Sequence, residues 1–156
     1  MNRIIIFTGK GGVGKSSVAA AHALASSKSS KKTLLVSADA AHNLGDIFQI
    51  DIGSRVKKIS EYLDVLELDS DAIKTEFFPK VKNTMLDLMG KNGLAVTNLN
   101  ENFSLPGFEN LFSLLKIKEI YDTKLYENIF IDCAPTGETL ALLKLPELLA
   151  WYMEQF

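Results

Sequence analysis

The residues from Gly9 to Ser16, "GKGGVGKS", have the types and spacing of a phosphate cradle: a glycine, four intervening residues, then Gly14, Lys15 and the hydroxyl of Ser16. Glycines let a backbone wrap tightly, so that successive N–H groups point at one anion. A helix opening directly afterwards adds partial positive charge at the same place. In such a loop Gly9, Lys10, Gly11, Gly12, Val13 and Gly14 contribute backbone and Ser17 continues the donor series. Lys15 reaches the terminal phosphate oxygens, and the Ser16 hydroxyl ligates Mg2+. The plainer alternative is a glycine-rich turn that only joins a strand to a helix.

A second lysine, Lys10, precedes the loop's turn and is not needed to cradle phosphate within one chain. It reads either as a solvated lysine in a flexible turn or as a cation offered to the nucleotide of a second copy, in the manner of an arginine finger supplied in trans. Spacing alone leaves the two readings level.

Elements that would position these residues are legible around them. "RIIIF" (Arg3 to Phe7) is a continuous β-branched run, predicted as a buried parallel strand. "KSSVAAAHALASS" follows as a helix whose alanines can lie close to a sheet. "TLLVS" (Thr33 to Ser37), "LDVLEL" (Leu63 to Leu68) and "NIFID" (Asn128 to Asp132) read as further strands, and "ADAAHNLGD" as a polar loop. Ser70 is placed to cap a helix carrying Ile73, Phe77, Val81, Met85 and Leu88. Phe108, Leu111, Phe112 and Leu115 mark another helix, with an Asn- and Gly-rich loop before it. Pro146 would open a last helix, with Leu148, Leu149, Tyr152 and Phe156 down one face. Strands alternating with helices predict an α/β fold, a parallel sheet with helices on both faces. The apolar stretch "LLAWYMEQF" ends without a cap or polar tail, so residues 1–156 are read as the N-terminal part of a single domain, incomplete at its C-terminal end.

Bulk properties narrow the function. A net charge of −2 gives no electrostatic case for nucleic acid, and "KSSKK" (Lys28 to Lys32) reads as a solvated helix end. No apolar run approaches the roughly 18–20 residues of a membrane span, and the N-terminus lacks the pattern of a signal peptide, so the expected address is cytoplasmic, without direct membrane insertion. Cys133 is the sole cysteine, which leaves no internal disulfide or multi-cysteine metal site within these residues.

"GKGGVGKSS" resembles the deviant Walker A pattern, K-G-G-x-G-K followed by Ser or Thr, of the signature-lysine class of P-loop NTPases. "LLVSADAAHNLGDIF" (Leu34 to Phe48) is similar to the first switch of the arsenical-pump and tail-anchored-protein-targeting ATPase family within that class. "FIDCAPTGETLALLKLPE" (Phe130 to Glu147) matches its second switch, D-x-A-P-T-G-x-T-L-x-x-L-x-L-P, at nearly every fixed position. "LPGFENLFSLL" resembles the family's segment beginning Pro-Gly, with Asn110 where an acid is usual.

This resemblance implies an Mg2+-dependent ATPase in which a homodimer clamps two ATP molecules and hydrolysis switches it between closed and open forms. Lys10 would be the signature lysine acting across the dimer, and Asp39 the residue that orients the attacking water, with Asn43 assisting. Asp132 would hold a Mg2+-bound water, and Pro135 and Gly137 suit a loop that rearranges when the γ-phosphate leaves. Asp39 directly after a strand is also where hydrolysis needs a carboxylate to aim a water, although a turn or helix-cap role would explain the same residue. Ala40 replaces the family's proline, and Glu138 stands where eukaryotic members carry His. Residues 50–104 match only loosely. The determinants of a protein client or membrane partner, and the thiols that the family's branches use for zinc or metalloid, fall outside these residues; Cys133 reads as a packing residue. Two other readings remain: a nucleotide-dependent switch or adaptor whose output is partner binding, and a truncated domain inactive on its own.

Overall fold

The computed structural model of the chain describes residues 2–39, 41, 43–91 and 108–133, with side chains outside 84–91 and 108–111. Four short apolar runs form its parallel strands: β1 (Arg3–Phe7), β2 (Thr33–Ser37), β4 (Leu63–Glu67) and β5 (Asn128–Asp132). They are the runs predicted from the sequence, within one residue at each end. Helix α1 (Lys15–Lys28) links β1 to β2, and α3 (Ser70–Lys91) and α4 (Phe108–Asp122) lie between β4 and β5. The sequence left two small elements unread: α2 (Leu44–Phe48), which starts within the expected polar loop and runs past its end, and β3 (Lys57–Lys58), paired antiparallel to β4.

Strand order is β1-β5-β2-β4-β3. The chain therefore leaves β1, crosses over the position later filled by β5, and returns as β2. In open α/β sheets such a break in order leaves a crevice beyond the carboxyl ends of the flanking strands, where ligands bind.

Helices cover both faces, as expected, and the alternation of side chains divides the core accordingly. Leu34, Val36, Ile129 and Ile131 face α3 and α4 with Ile73, Phe77, Phe112 and Ile117. Leu35, Val65 and Phe130 point the other way, against Ala19, Ala20 and Ala23 of α1 and Leu44 of α2. The three alanines are 0–2% exposed, so the small side chains do bring α1 close onto the sheet.

Two local expectations change. Strand β1 pairs with β5 on one side and, among the described residues, has no neighbour on the other. Ile4 and Ile6 are thus 41% and 45% exposed rather than buried. The cap of α3 is Asp69, not Ser70: its Oδ1 accepts from the backbone N–H of Asp71 at 3.0 Å and of Ala72 at 3.1 Å. A carboxylate in that position satisfies two orphan donors and complements the helix dipole as well. The helix expected from Pro146 lies outside the described residues.

Candidate phosphate-binding site

One row of the sheet brings the site together. Phe7 at the end of β1 is in register with Asp132 of β5, Asp132 with Ser37 of β2, and Ser37 with Glu67 of β4. Backbone bonds tie the strand exits to one another: Cys133 N–H donates to Phe7 C=O at 3.1 Å, Ala38 N–H to Asp132 C=O at 2.8 Å, and Leu68 N–H to Ser37 C=O at 2.9 Å. The glycine loop, Asp39 and Asp132 consequently emerge on the same edge although they lie far apart in sequence.

The loop has the form the motif requires, between a strand and a helix. Gly12 and Gly14 take positive φ values of 75° and 81°, and a Cβ built on either meets nothing within 4 Å. Gly11 to Gly14 are exposed, as is Ser17, while Ser16 is half-buried. Helix α1 begins without a side-chain cap and without an acidic residue in its first turn. Its first N–H groups have no side-chain acceptor, and no negative charge of its own opposes an anion there.

Lys15, the first residue of α1, turns its ammonium to two carboxylates. Nζ stands 3.5 Å from Asp132 Oδ1 and 3.9 Å from Asp39 Oδ2. The Lys15 and Asp132 side chains are only 8% and 2% exposed, and Asp39 18%. Burying charge to this extent is sustainable only when it is paired. Yet the pairing is loose: Asp132 Oδ1 is buried and has no hydrogen-bond partner among the described residues. Its charge is balanced while its lone pairs are left open.

Asp39 also accepts a hydrogen bond at Oδ1 from Ala41 N–H at 3.0 Å, closing a short turn on itself. The turn bond and the contact with Lys15 therefore coexist in one side chain. Asn43 is brought less close. It caps α2 through its backbone, whose C=O accepts from Ile47 N–H at 3.2 Å, while its side chain is exposed and makes no capping bond. Lys10 is exposed and pairs with no carboxylate among the described residues. Pro135, Gly137 and Glu138 lie outside the described residues, as do Ala40 and His42.

The sequence reading assigned roles to Lys15, Asp39 and Asp132 one at a time and missed their mutual pairing. It also missed Glu67, whose Oε1 accepts from Gly45 N–H at 3.1 Å and anchors α2 to the end of β4. Gly45 was the available signal: a Cβ there would stand 3.0 Å from Ile50 C=O, so the first turn of α2 fits closely around glycine. A wide hollow beside α2 is lined by Asp46, Asp51 and Glu67. Three carboxylates without a cation suit an anion badly, so this hollow is not a candidate phosphate site.

Comparison with known proteins places the chain in a family. Residues 2–156 match the family described as anion-transporting ATPase. A protein of Prosthecochloris vibrioformis, provisionally named an arsenical pump-driving ATPase, is 43% identical over 152 residues, covering 97% of this chain and 38% of the relative. Its counterpart in Chlorobaculum tepidum, under the same provisional name, is 42% identical with the same coverage. The arsenical pump-driving ATPase of Escherichia coli is 32% identical over 150 residues, covering 91% of this chain and 25% of the relative. The chain thus spans well under half the length of these relatives.

Proposed function

The chain belongs to the anion-transporting ATPase family, and from that premise we propose that it binds ATP with Mg2+ and hydrolyses the terminal phosphate to switch a pair of subunits. The observation that carries this reading is the convergence of Lys15, Asp39 and Asp132 beside an uncapped helix start. The loop's N–H groups and the dipole of α1 hold the phosphates, and Lys15 carries charge on the terminal oxygens. Asp39, beside that lysine at the mouth of β2, accepts a hydrogen bond from water and aims its oxygen at the terminal phosphorus. As the bond from the water oxygen to phosphorus forms, the bond to the bridging oxygen breaks, ADP leaves with the electron pair, and the water gives up a proton to the phosphate oxygens, leaving inorganic phosphate.

The residues present fit Mg2+. Asp132 Oδ1 is a buried anionic oxygen with open lone pairs, and Ser16 places a hydroxyl in the first turn of α1. Oxygen donors of this kind, completed by phosphate and water, are what this hard cation takes. Bound there, Mg2+ would neutralise charge on the β- and γ-phosphate oxygens. Asn43, at the start of α2, supports Asp39 from the same segment. Pro135 belongs to the second switch.

Lys10 acts on the nucleotide of a second copy. Its exposure at the loop's rim supports this, since a lysine without a partner in its own subunit is available to another. In this reading residues 1–156 belong to a longer, cytoplasmic ATPase, the length being supported by the 38% of two relatives that the chain covers. Its output is the driving of an anion pump or the targeting of tail-anchored proteins, through surfaces these residues do not supply.

ATP turnover by the complete protein tests the reading. Asp39→Asn keeps the size of the side chain and removes its charge, and turnover is expected to fall by about 10²–10⁴-fold. Equal turnover in the two proteins overturns the role given to Asp39.

A further inference from the structure

The ammonium that the proposed reaction needs on phosphate is the one that balances both carboxylates of the site. Lys15 Nζ lies 3.5 Å from Asp132 Oδ1 and 3.9 Å from Asp39 Oδ2, and the lysine and Asp132 are almost wholly buried. A divalent cation drawn to Asp132 would sit within a few ångströms of that ammonium, where like charges repel strongly in a partly desolvated setting. We propose that Lys15 acts as a tethered counter-cation that excludes free Mg2+ from Asp132 and Asp39, and gives the carboxylates up only when a polyphosphate draws its ammonium away.

Three features make Lys15 suited to such an exchange. It is covalently held at the start of α1, so its effective concentration at the carboxylates is high and independent of solution. It stands at ion-pair distance from Asp132 and leaves Oδ1 without a hydrogen bond, so withdrawal breaks no directional bond. It is also the first residue of α1, whose start has no side-chain cap, and a phosphate gathered there attracts the same ammonium. Binding of phosphate and entry of metal are thereby coupled through one side chain, and the coupling is reciprocal. Asp39, engaged by Lys15 at one oxygen and by Ala41 N–H at the other, is likewise released toward water only once phosphate is in place. The device guards the site against metal without substrate and against water without phosphate.

This inference rests on the ATPase reading for the identity of the polyphosphate, but its test needs no turnover. Mn2+, a paramagnetic stand-in for Mg2+, is titrated into the complete protein without nucleotide and followed by electron paramagnetic resonance. Wild type is expected to show no tight site. Lys15→Met should bind one Mn2+ per subunit at least about tenfold more tightly, and Lys15→Met/Asp132→Asn should lose that site again. Equal Mn2+ affinity in wild type and Lys15→Met overturns the proposal. Thermal melting gives a second measurement should Lys15→Met fold poorly. Removing the ammonium alone strands a buried carboxylate, so Lys15→Met/Asp132→Asn should melt higher than Lys15→Met; identical melting would also sink the proposal. Failure here leaves ATP hydrolysis untouched, and a protein that never hydrolyses ATP could still pass.

Discussion

At Gly14 the backbone turns left-handed, with φ 81°, immediately before the first residue of α1. An alanine there would meet no atom within 4 Å, so its cost in stability is backbone strain alone, about 1–2 kcal/mol. The methyl group would nonetheless stand at the mouth of the proposed phosphate nest. Gly53, φ 65° and equally free of neighbours, supplies the control because it lies in the loop before β3. Gly14→Ala and Gly53→Ala should lower the urea midpoint by similar amounts. Only Gly14→Ala should weaken binding of a labelled ATP analogue, by about tenfold or more. Equal nucleotide affinity in the two variants would separate the loop from phosphate binding. At this scale the sequence was most informative, since Gly9–Ser16 is contiguous and its chemistry follows from local order. The ion pairs of Lys15 are a different matter. They join positions 15, 39 and 132, and nothing in local sequence says that two separate carboxylates share one ammonium.

Elements were legible where a single physical signal dominated. β2 and β5 centre on unbroken apolar triplets, β4 is apolar but for Asp64 and Glu67, and the alanine-rich α1 stands out by composition. β3 has two lysines and no periodicity, and the five residues of α2 are too short to show a period. Strand order was illegible because it depends on which non-adjacent runs pair. At the N-terminal ends of the strands, opposite the site, a second polar cluster stabilises that pairing. Tyr126 Oη donates to Asp64 Oδ2 at 2.9 Å, and Lys32 Nζ meets the same oxygen at 3.0 Å. Lys32, read from sequence as part of a solvated helix end, therefore helps to clamp β2, β4 and the approach to β5.

Burial first, and then the hydrogen bond and negative charge of Asp64, push the Tyr126 phenol above its ordinary value of 10.0. A phenol whose pKa is raised on folding holds its proton more tightly in the folded chain. Its contribution is complete below about pH 10 and fades as pH rises further. Tyr126→Phe should cost about 0.5–1.5 kcal/mol at pH 7 in urea unfolding. That deficit should shrink progressively above about pH 10. A deficit that stays constant through the alkaline range would remove the phenol–carboxylate bond from the clamp.

For the whole molecule, the sheet sets the candidate site on one edge, and Lys10 is an exposed cation among the described residues there. Single substitutions cannot say whether Lys10 serves its own nucleotide or that of another copy, because both arrangements lose turnover with Lys10→Ala. Mixing subunits can. Lys10→Ala retains Asp39, and Asp39→Asn retains Lys10, so each is expected to be nearly inactive alone. If Lys10 crosses to a second copy, a mixed pair contains one site with both groups intact, supplied from opposite subunits. Random exchange at equal amounts makes half the pairs mixed, and one competent site in each restores about a quarter of wild-type turnover. A lysine acting within its own subunit gives no recovery at any ratio, because every site then lacks either Lys10 or Asp39. Dilution supplies the companion measurement: turnover per subunit should fall as wild-type pairs separate. Recovery in the mixture with loss on dilution would place the signature lysine across the interface, while an inactive mixture would return it to its own loop.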